Sequence, residues 1–163
     1  MMYSNLEIIK DAPEINGFSD NRMIEQSAET KAGIADLEAV MLTMDSALDD
    51  FPVTHHFAPG VYAREMFLPA GGTIVGKIHR HAHLNIISKG RVIVTTEGGT
   101  DELTGPCTFT SYAGTKRAVH VIEDTIWTTI HVTEETDLEK IEAEVIAPSY
   151  DALPDSLIKR IDK

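Results

Sequence analysis

The stretch GKIHRHAHLNIISKG, Gly76 to Gly90, decides how this chain is read. It sets His79, His81 and His83 at alternate positions, so three of the chain's seven histidines fall within five residues. On an extended strand, residues i, i+2 and i+4 point to one face, so the three imidazoles share a side opposite Ile78. Two of them two residues apart lie about 6–7 Å apart at Cα, and their nitrogens can converge on one ion at about 2.0–2.1 Å. The outer pair on a straight strand is about 13 Å apart, too far for one ion. Three ligands from this stretch therefore require a bend within it. Otherwise two bind and another element supplies the rest. Burying three polar rings without a use is costly, which favours a metal site over a plain polar strand face.

Strands surround this stretch. From residue 53 to 133 the chain runs VTHHFA, VYAREMFL, TIVGKIH, RVIVTTE, CTFTS, KRAVHVI and TIWTTIHVT, short segments rich in β-branched residues. APG, PAGG, KG, GG, GP and AG separate them as turn signals. Short strands at roughly ten-residue spacing predict an antiparallel sandwich or barrel. No long helix intervenes, which argues against a parallel sheet. TTEGGTDELTG reads as a solvated hairpin loop carrying Glu97, Asp101 and Glu102.

Helices flank the strands. Ile34, Leu37, Met41, Met44 and Leu48 recur at three- and four-residue steps, widened by Val40, and predict one apolar stripe that ends at DDFP. Before it, the first 25 or so residues, broken by Pro13, Gly17 and Asn21, read as an arm. TDLEKIEAEVI predicts a second helix, with Thr136 and Glu139 as a capping box and Leu138, Ile141 and Val145 as its apolar face. The tail YDALPDSLIKRIDK predicts one more short helix, capped by Asp155, with Leu157, Ile158 and Ile161 facing one way. The expected layout is an arm and amphipathic helix over 1–50, a β-barrel over 51–135, and a helix and tail over 136–163. The tail packs on the barrel or on a neighbouring subunit, so a homo-oligomer is expected.

Bulk properties narrow the function. The chain has 163 residues, 42% hydrophobic and 25% charged, with a net charge of −12. That charge repels phosphate backbones and anionic lipids, so neither nucleic acid nor membrane is an expected partner. No apolar run approaches the roughly 20 residues that span a bilayer. The opening MMYSNLEIIKDAPEING has no basic or apolar signal region, and a cytoplasmic protein is expected. A single cysteine, Cys107, excludes an internal disulfide and reads as a small buried residue.

The alternating histidines followed by LNIISKG, with LPAGG before them and SYAGTKRAVHVIEDTIWTTIHV after, resemble the motifs of the cupin superfamily. The resemblance spans about residues 55 to 133. HHFAPGVYARE, GTKR and TIWTTIH also resemble small single-domain cupins of uncharacterised function, some of them phage-encoded. It implies a mainly β fold, a double-stranded antiparallel β-sandwich or jelly-roll barrel with an N-terminal and a C-terminal helix, usually holding a divalent metal. The family's first motif has two histidines one residue apart, then a glutamate and a glycine; its second has a glycine and a third histidine. His79 and His81 match the pair, and His83 falls where the glutamate stands. Alternatively His79 and His83 are the ligands and His81 is a bystander. Arg117 follows Gly114 where the third histidine is expected, and His131 offers a ligand from a separate strand. His120 lies at the opposite parity to Arg117.

His79, His81, His83 and His131 are thus the candidate metal ligands, for zinc, iron, nickel or manganese. Arg117, with its bidentate fork, is the candidate substrate-binding residue for a small acidic or sugar-like molecule. Tyr62, Arg64 and Met66 share one strand face; Trp127, Thr129 and His131 share another, opposite Ile126, Ile130 and Val132. Adjacent His55 and His56 point to opposite faces, so at most one reaches an interior site. No general base, nucleophile elbow, phosphate loop or Cys-x-x-Cys can be assigned. Two functions are expected: a metal-dependent small-molecule site, or a non-catalytic oligomeric scaffold built on the same barrel.

Overall fold

The structure, a computed structural model, describes residues 28–43, 51–96 and 99–153. The expected arm, the end of the first helix at Met44 and Leu48, and the tail with Leu157, Ile158 and Ile161 lie outside the described residues. A helix α1 (Ala28–Met41) precedes seven strands of one antiparallel sheet: β1 (Val53–Ala58), β2 (Val61–Leu68), β3 (Thr73–Val75), β5 (His83–Thr96), β6 (Gly99–Thr104), β7 (Cys107–Ser111) and β8 (Ala118–Val132). A two-residue strand β4 (Ile78–His79) pairs instead with β9 (Ile146–Ala147), which follows helix α2 (Leu138–Val145). Among the described residues no helix is long and apolar enough to cross a membrane.

Two strands run through both halves of the sheet. The second half of β8 pairs β2 on one side and the first half of β5 on the other; its first half pairs β3 and the second half of β5. The first half of β5 also pairs β7, and its second half pairs β6. The result is two half-sheets, β1-β2-β8-β5-β7 and β3-β8-β5-β6, a double-sheet arrangement of the jelly-roll kind. Leu68, Ile87, Phe109 and Trp127 from one half pack with Val92, Val94, Leu103, Val119 and Val121 from the other as a single core.

The passage between the halves corrects the expected turn at KG. Lys89 and Gly90 continue one fourteen-residue strand through register shifts between Ile87 and Val92. Gly90 takes φ +98, and a Cβ there would lie 2.3 Å from Thr125 Oγ1 and 2.5 Å from the Asp124 carbonyl oxygen. Only glycine permits so close a backbone approach. The shift also changes which parity faces in: His83, Asn85 and Ile87 before it, Val92 and Val94 after it. AVHVI and TIWTTIHV are likewise one strand, β8, which begins just after Arg117.

Other expectations are corrected too. GTDELT is the strand β6, not a loop: it pairs with β5 and buries Leu103 in the core, while Asp101 and Glu102 face solvent. The stripe on α1 buries Ile34 but leaves Leu37 and Val40 exposed. A salt bridge from Lys116 Nζ to Glu38 Oε2 (2.6 Å) and the Lys31 ammonium over the Tyr150 ring help hold that helix. The cap of α2 is Asp137 rather than Thr136. Its carboxylate accepts from the Glu139 and Lys140 amides at 3.0 and 3.1 Å, the N2 and N3 donors of a helix starting at Leu138.

Candidate metal and ligand site

The bend required by strand geometry is present. β4 ends at His79, residues 80–82 turn, and β5 begins at His83. The segment after α2 fixes this turn. Ile78 and His79 pair with Ala147 and Ile146, and the Arg80 amide donates to the Val145 carbonyl. The Arg80 guanidinium donates to the carbonyls of Ile146 and Ala152, both at 2.9 Å. The turn brings the rings of His79 and His83 to 4.0 Å between centroids. His131, from the far end of β8, meets them at 5.4 and 4.9 Å. His81 sits on the outside of the turn, with its side chain exposed. The structure thus brings the rings of His79, His83 and His131 together and leaves His81 exposed, though near enough to depress the pKa of His131.

These rings are held neutral. Burial, then repulsion from His83 and His131, lowers the pKa of His79 to about 3. Burial lowers His83 and His131 to about 4, reinforced by His131 for the first and by Arg64 for the second. Neutral imidazole is the ligating form. A backbone hydrogen bond at Lys77 engages the His79 ring, and His83 Nδ1 lies 3.4 Å from the His81 carbonyl oxygen. Such contacts orient a ring and leave its other nitrogen as the lone-pair donor.

Two imidazoles sharing an ion have centroids about 4.6 Å apart at a right angle and about 5.3 Å apart at a tetrahedral one, given metal–nitrogen bonds of about 2.1 Å. Two edges of the triangle fall near that range. The 4.0 Å edge is shorter, so an ion requires those rings to part by about 0.6 Å. In keeping with this, no three His, Cys, Asp or Glu side chains among the described residues already stand around a common point. The donor set suits a borderline transition metal; the ring spacing needs a small rotation.

Around the cluster the interior is polar. Tyr62, buried on β2, stacks on His131 at 6.2 Å and on His55 at 5.9 Å, and its hydroxyl lies 2.7 Å from His55 Nδ1. His56 points the other way, 3.9 Å from Glu65. Arg64 is also on the inward face, paired with His55 on one side and Thr129 on the other. Arg117 is buried at 9% exposure, and burial lowers its pKa to about 10. It lies near enough to depress His79 and His83. His120 faces out and meets Thr73. Cys107 is half-buried against the core, and burial pushes its thiol up.

Sequence reasoning missed Asn85, Ser111 and Trp127 as site residues. Trp127 Nε1 donates to Asn85 Oδ1 at 3.0 Å, Asn85 Nδ2 donates to Ser111 Oγ at 2.9 Å, and Arg117 Nη1 donates to the same oxygen at 2.6 Å. The available signal was Asn85, an amide two residues after His83 in an otherwise apolar run.

The chain is similar to solved cupin structures. One is a cupin domain from Bordetella pertussis, 19% identical, covering 51% of this chain and 93% of that one, with a TM-score of 0.41. Another is KdgF from a Halomonas species, at 16% identity, 58% and 88% coverage and a TM-score of 0.46. A third is a cupin superfamily protein from Desulfitobacterium hafniense, at 10% identity, 57% and 86% coverage and a TM-score of 0.44. No family profile matches the chain, and no curated protein does. The chemistry of the site rests on its own residues.

Proposed function

We propose that the barrel interior is a divalent transition-metal centre, held by His79, His83 and His131, within a pocket for a small molecule. One observation carries this reading: three neutral imidazoles from three separate strands, two buried (His83, His131) and one half-buried (His79), meet without an acidic partner among them. Burying three such rings without a use would cost stability. Zinc, iron, nickel or manganese bound there would supply a Lewis acid with open positions. The chain's own part is to hold the rings neutral, to orient them through the Lys77 and His81 backbone, and to close the pocket with Tyr62 stacked on His131. Elemental analysis of untagged protein tests it, after incubation with each of the four metals. Near-stoichiometric metal is expected, lost in His79→Ala, His83→Ala and His131→Ala but kept in His81→Ala. A parent that takes up none of the four refutes it.

A second reading, an oligomeric scaffold, draws on the outer face of the same half-sheet. Val61, Phe67, Leu84 and Val132 are exposed there, Val132 at 86%. The occupant is a second copy of this chain. With a net charge of −12, two copies repel over most of their surface and approach best through an uncharged patch. Sedimentation of Val132→Lys should give a smaller species than the parent. A parent that already sediments as a monomer rules this reading out.

A further inference from the structure

The interior holds hydrogen-bond donors with no acceptor among the described residues. The chain of bonds from Trp127 fixes the direction of each. An indole N–H only donates, so Asn85 must turn its oxygen to Trp127 and its amide nitrogen to Ser111. A guanidinium only donates, so Ser111 Oγ must accept from Arg117 as well. Both lone pairs of Ser111 Oγ are then used, and its own proton has no acceptor among the described residues. Arg117 Nη2 is buried and also has no hydrogen-bond partner among the described residues. The buried hydroxyl of Thr115, two residues earlier, is unpaired too. No carboxylate among the described residues forms an ion pair with Arg117, whose guanidinium stands over the Phe109 ring at 5.8 Å. Leaving such groups unsatisfied is costly, and native interiors rarely do so without a bound partner.

The donors stand beside the histidines. Ser111 pairs directly with His83 across β7 and β5, with both side chains buried. We propose that Arg117 and Ser111 form a carboxylate-binding subsite that anchors a small organic acid next to the histidine cluster. The subsite needs acceptors and a negative charge, which a carboxylate supplies with two oxygens matched to the fork of Arg117. One guanidinium balances one negative charge. The proposal deepens the reading of this interior as a ligand pocket but does not need the metal. Asn85 and Trp127 are positioning residues, since they hold Ser111 with its proton free.

Calorimetric titration of the full chain tests it, with acetate, pyruvate and succinate as probes, their neutral amides as controls, and inorganic phosphate as competitor. Each titration is run on metal-loaded and on chelator-treated protein. The parent should bind at least one carboxylate and none of the amides. Arg117→Gln should weaken that binding about ten- to a hundredfold, and Ser111→Ala about three- to tenfold. Arg117→Lys keeps the charge without the fork and should fall between the parent and Arg117→Gln. Carboxylate binding that survives chelation and His79→Ala supports the subsite even if the metal reading fails. Equal binding of acids and amides, tighter binding of phosphate, or no carboxylate binding by the parent in either state overturns it. The comparison of acid with amide needs no variant, so it stands if Arg117→Gln fails to fold.

Discussion

Acidification should unfold the metal-free protein through its histidine cluster. In the unfolded chain each imidazole takes up a proton near pH 6.5. In the fold, His79 does so at about 3, and His83 and His131 at about 4. Above pH 6.5 all three are neutral in both states, and the fold keeps its full stability. As the pH falls from there toward 4, the unfolded chain binds more protons than the native one, and stability falls with it. At pH 5.5 each site favours the unfolded chain by about 1.4 kcal/mol relative to pH 7.5, so the three together remove about 4 kcal/mol. A domain has about 5–15 kcal/mol in all. In a chain of this size the loss corresponds to a fall in Tm of about 8–16 °C. Glu135, held low by the amides of Asp137 and Thr136, loses its contribution only at more acid pH.

The assay is urea unfolding at pH 7.5, 6.5 and 5.5 after chelation, followed by circular dichroism. His83→Gln removes one of the three sites and should recover about a third of the acid loss, about 1.4 kcal/mol at pH 5.5. His81→Gln keeps all three of the shifted rings and should retain most of the acid loss. A parent that loses less than about 1 kcal/mol over this range, or an acid loss undiminished in His83→Gln, refutes the picture of three neutral rings held in the interior.

Two further outcomes are expected. Gly90→Ala forces a Cβ into the Thr125 side chain and the Asp124 carbonyl at a positive φ, and should cost about 2–5 kcal/mol, read as a lower midpoint in urea. A midpoint within error of the parent would mean that the strand does not bend there. Trp127→Phe keeps the ring but leaves Asn85 Oδ1 without its donor in a site only 2% exposed. It should cost about 1–3 kcal/mol in the same measurement, and no change would mean that the amide is satisfied by another group.

The bend between His79 and His83 was legible in the sequence, because strand rise alone keeps the outer pair of an i, i+2, i+4 row apart. Which histidine the bend would expel was not, since that depends on β9, at Ile146–Ala147, pairing with β4, at Ile78–His79, far along the chain. His131 was legible as a candidate and its direction was not: in TIWTTIHV, Trp127, Thr129 and His131 alternate with Ile126, Ile130 and Val132, and neither set is plainly the inner one. Ser111 carried no signal, as a serine closing CTFTS looks like any strand end. β6 escaped because Leu103 is its only large apolar residue. KG at 89–90 carries a turn signature, and only the partner strand makes it a bulge.

One inversion joins the site to the surface. An antiparallel sheet with one covered face normally turns apolar residues in and polar ones out. The half-sheet of β1, β2, β8, β5 and β7 does the reverse around the cluster: Tyr62, His83, Asn85, Ser111, Thr129 and His131 are buried, while Val61, Leu84 and Val132 are exposed. The polar interior is tolerable because Trp127, Asn85, Ser111 and Arg117 bond to one another, and because the other half supplies Val92, Val94, Leu103, Val119 and Val121 to the core. Side chains alternate with a period of two, so β5 can serve both halves only if its parity changes between them. Without the register shift at Lys89–Arg91, turning His83 and Asn85 inward would turn Val92 and Val94 out. The bend at Gly90 therefore lets one strand turn histidine and asparagine into the polar interior at one end and valines into the core at the other. That separation is what allows a buried polar cluster and an apolar core to share one strand.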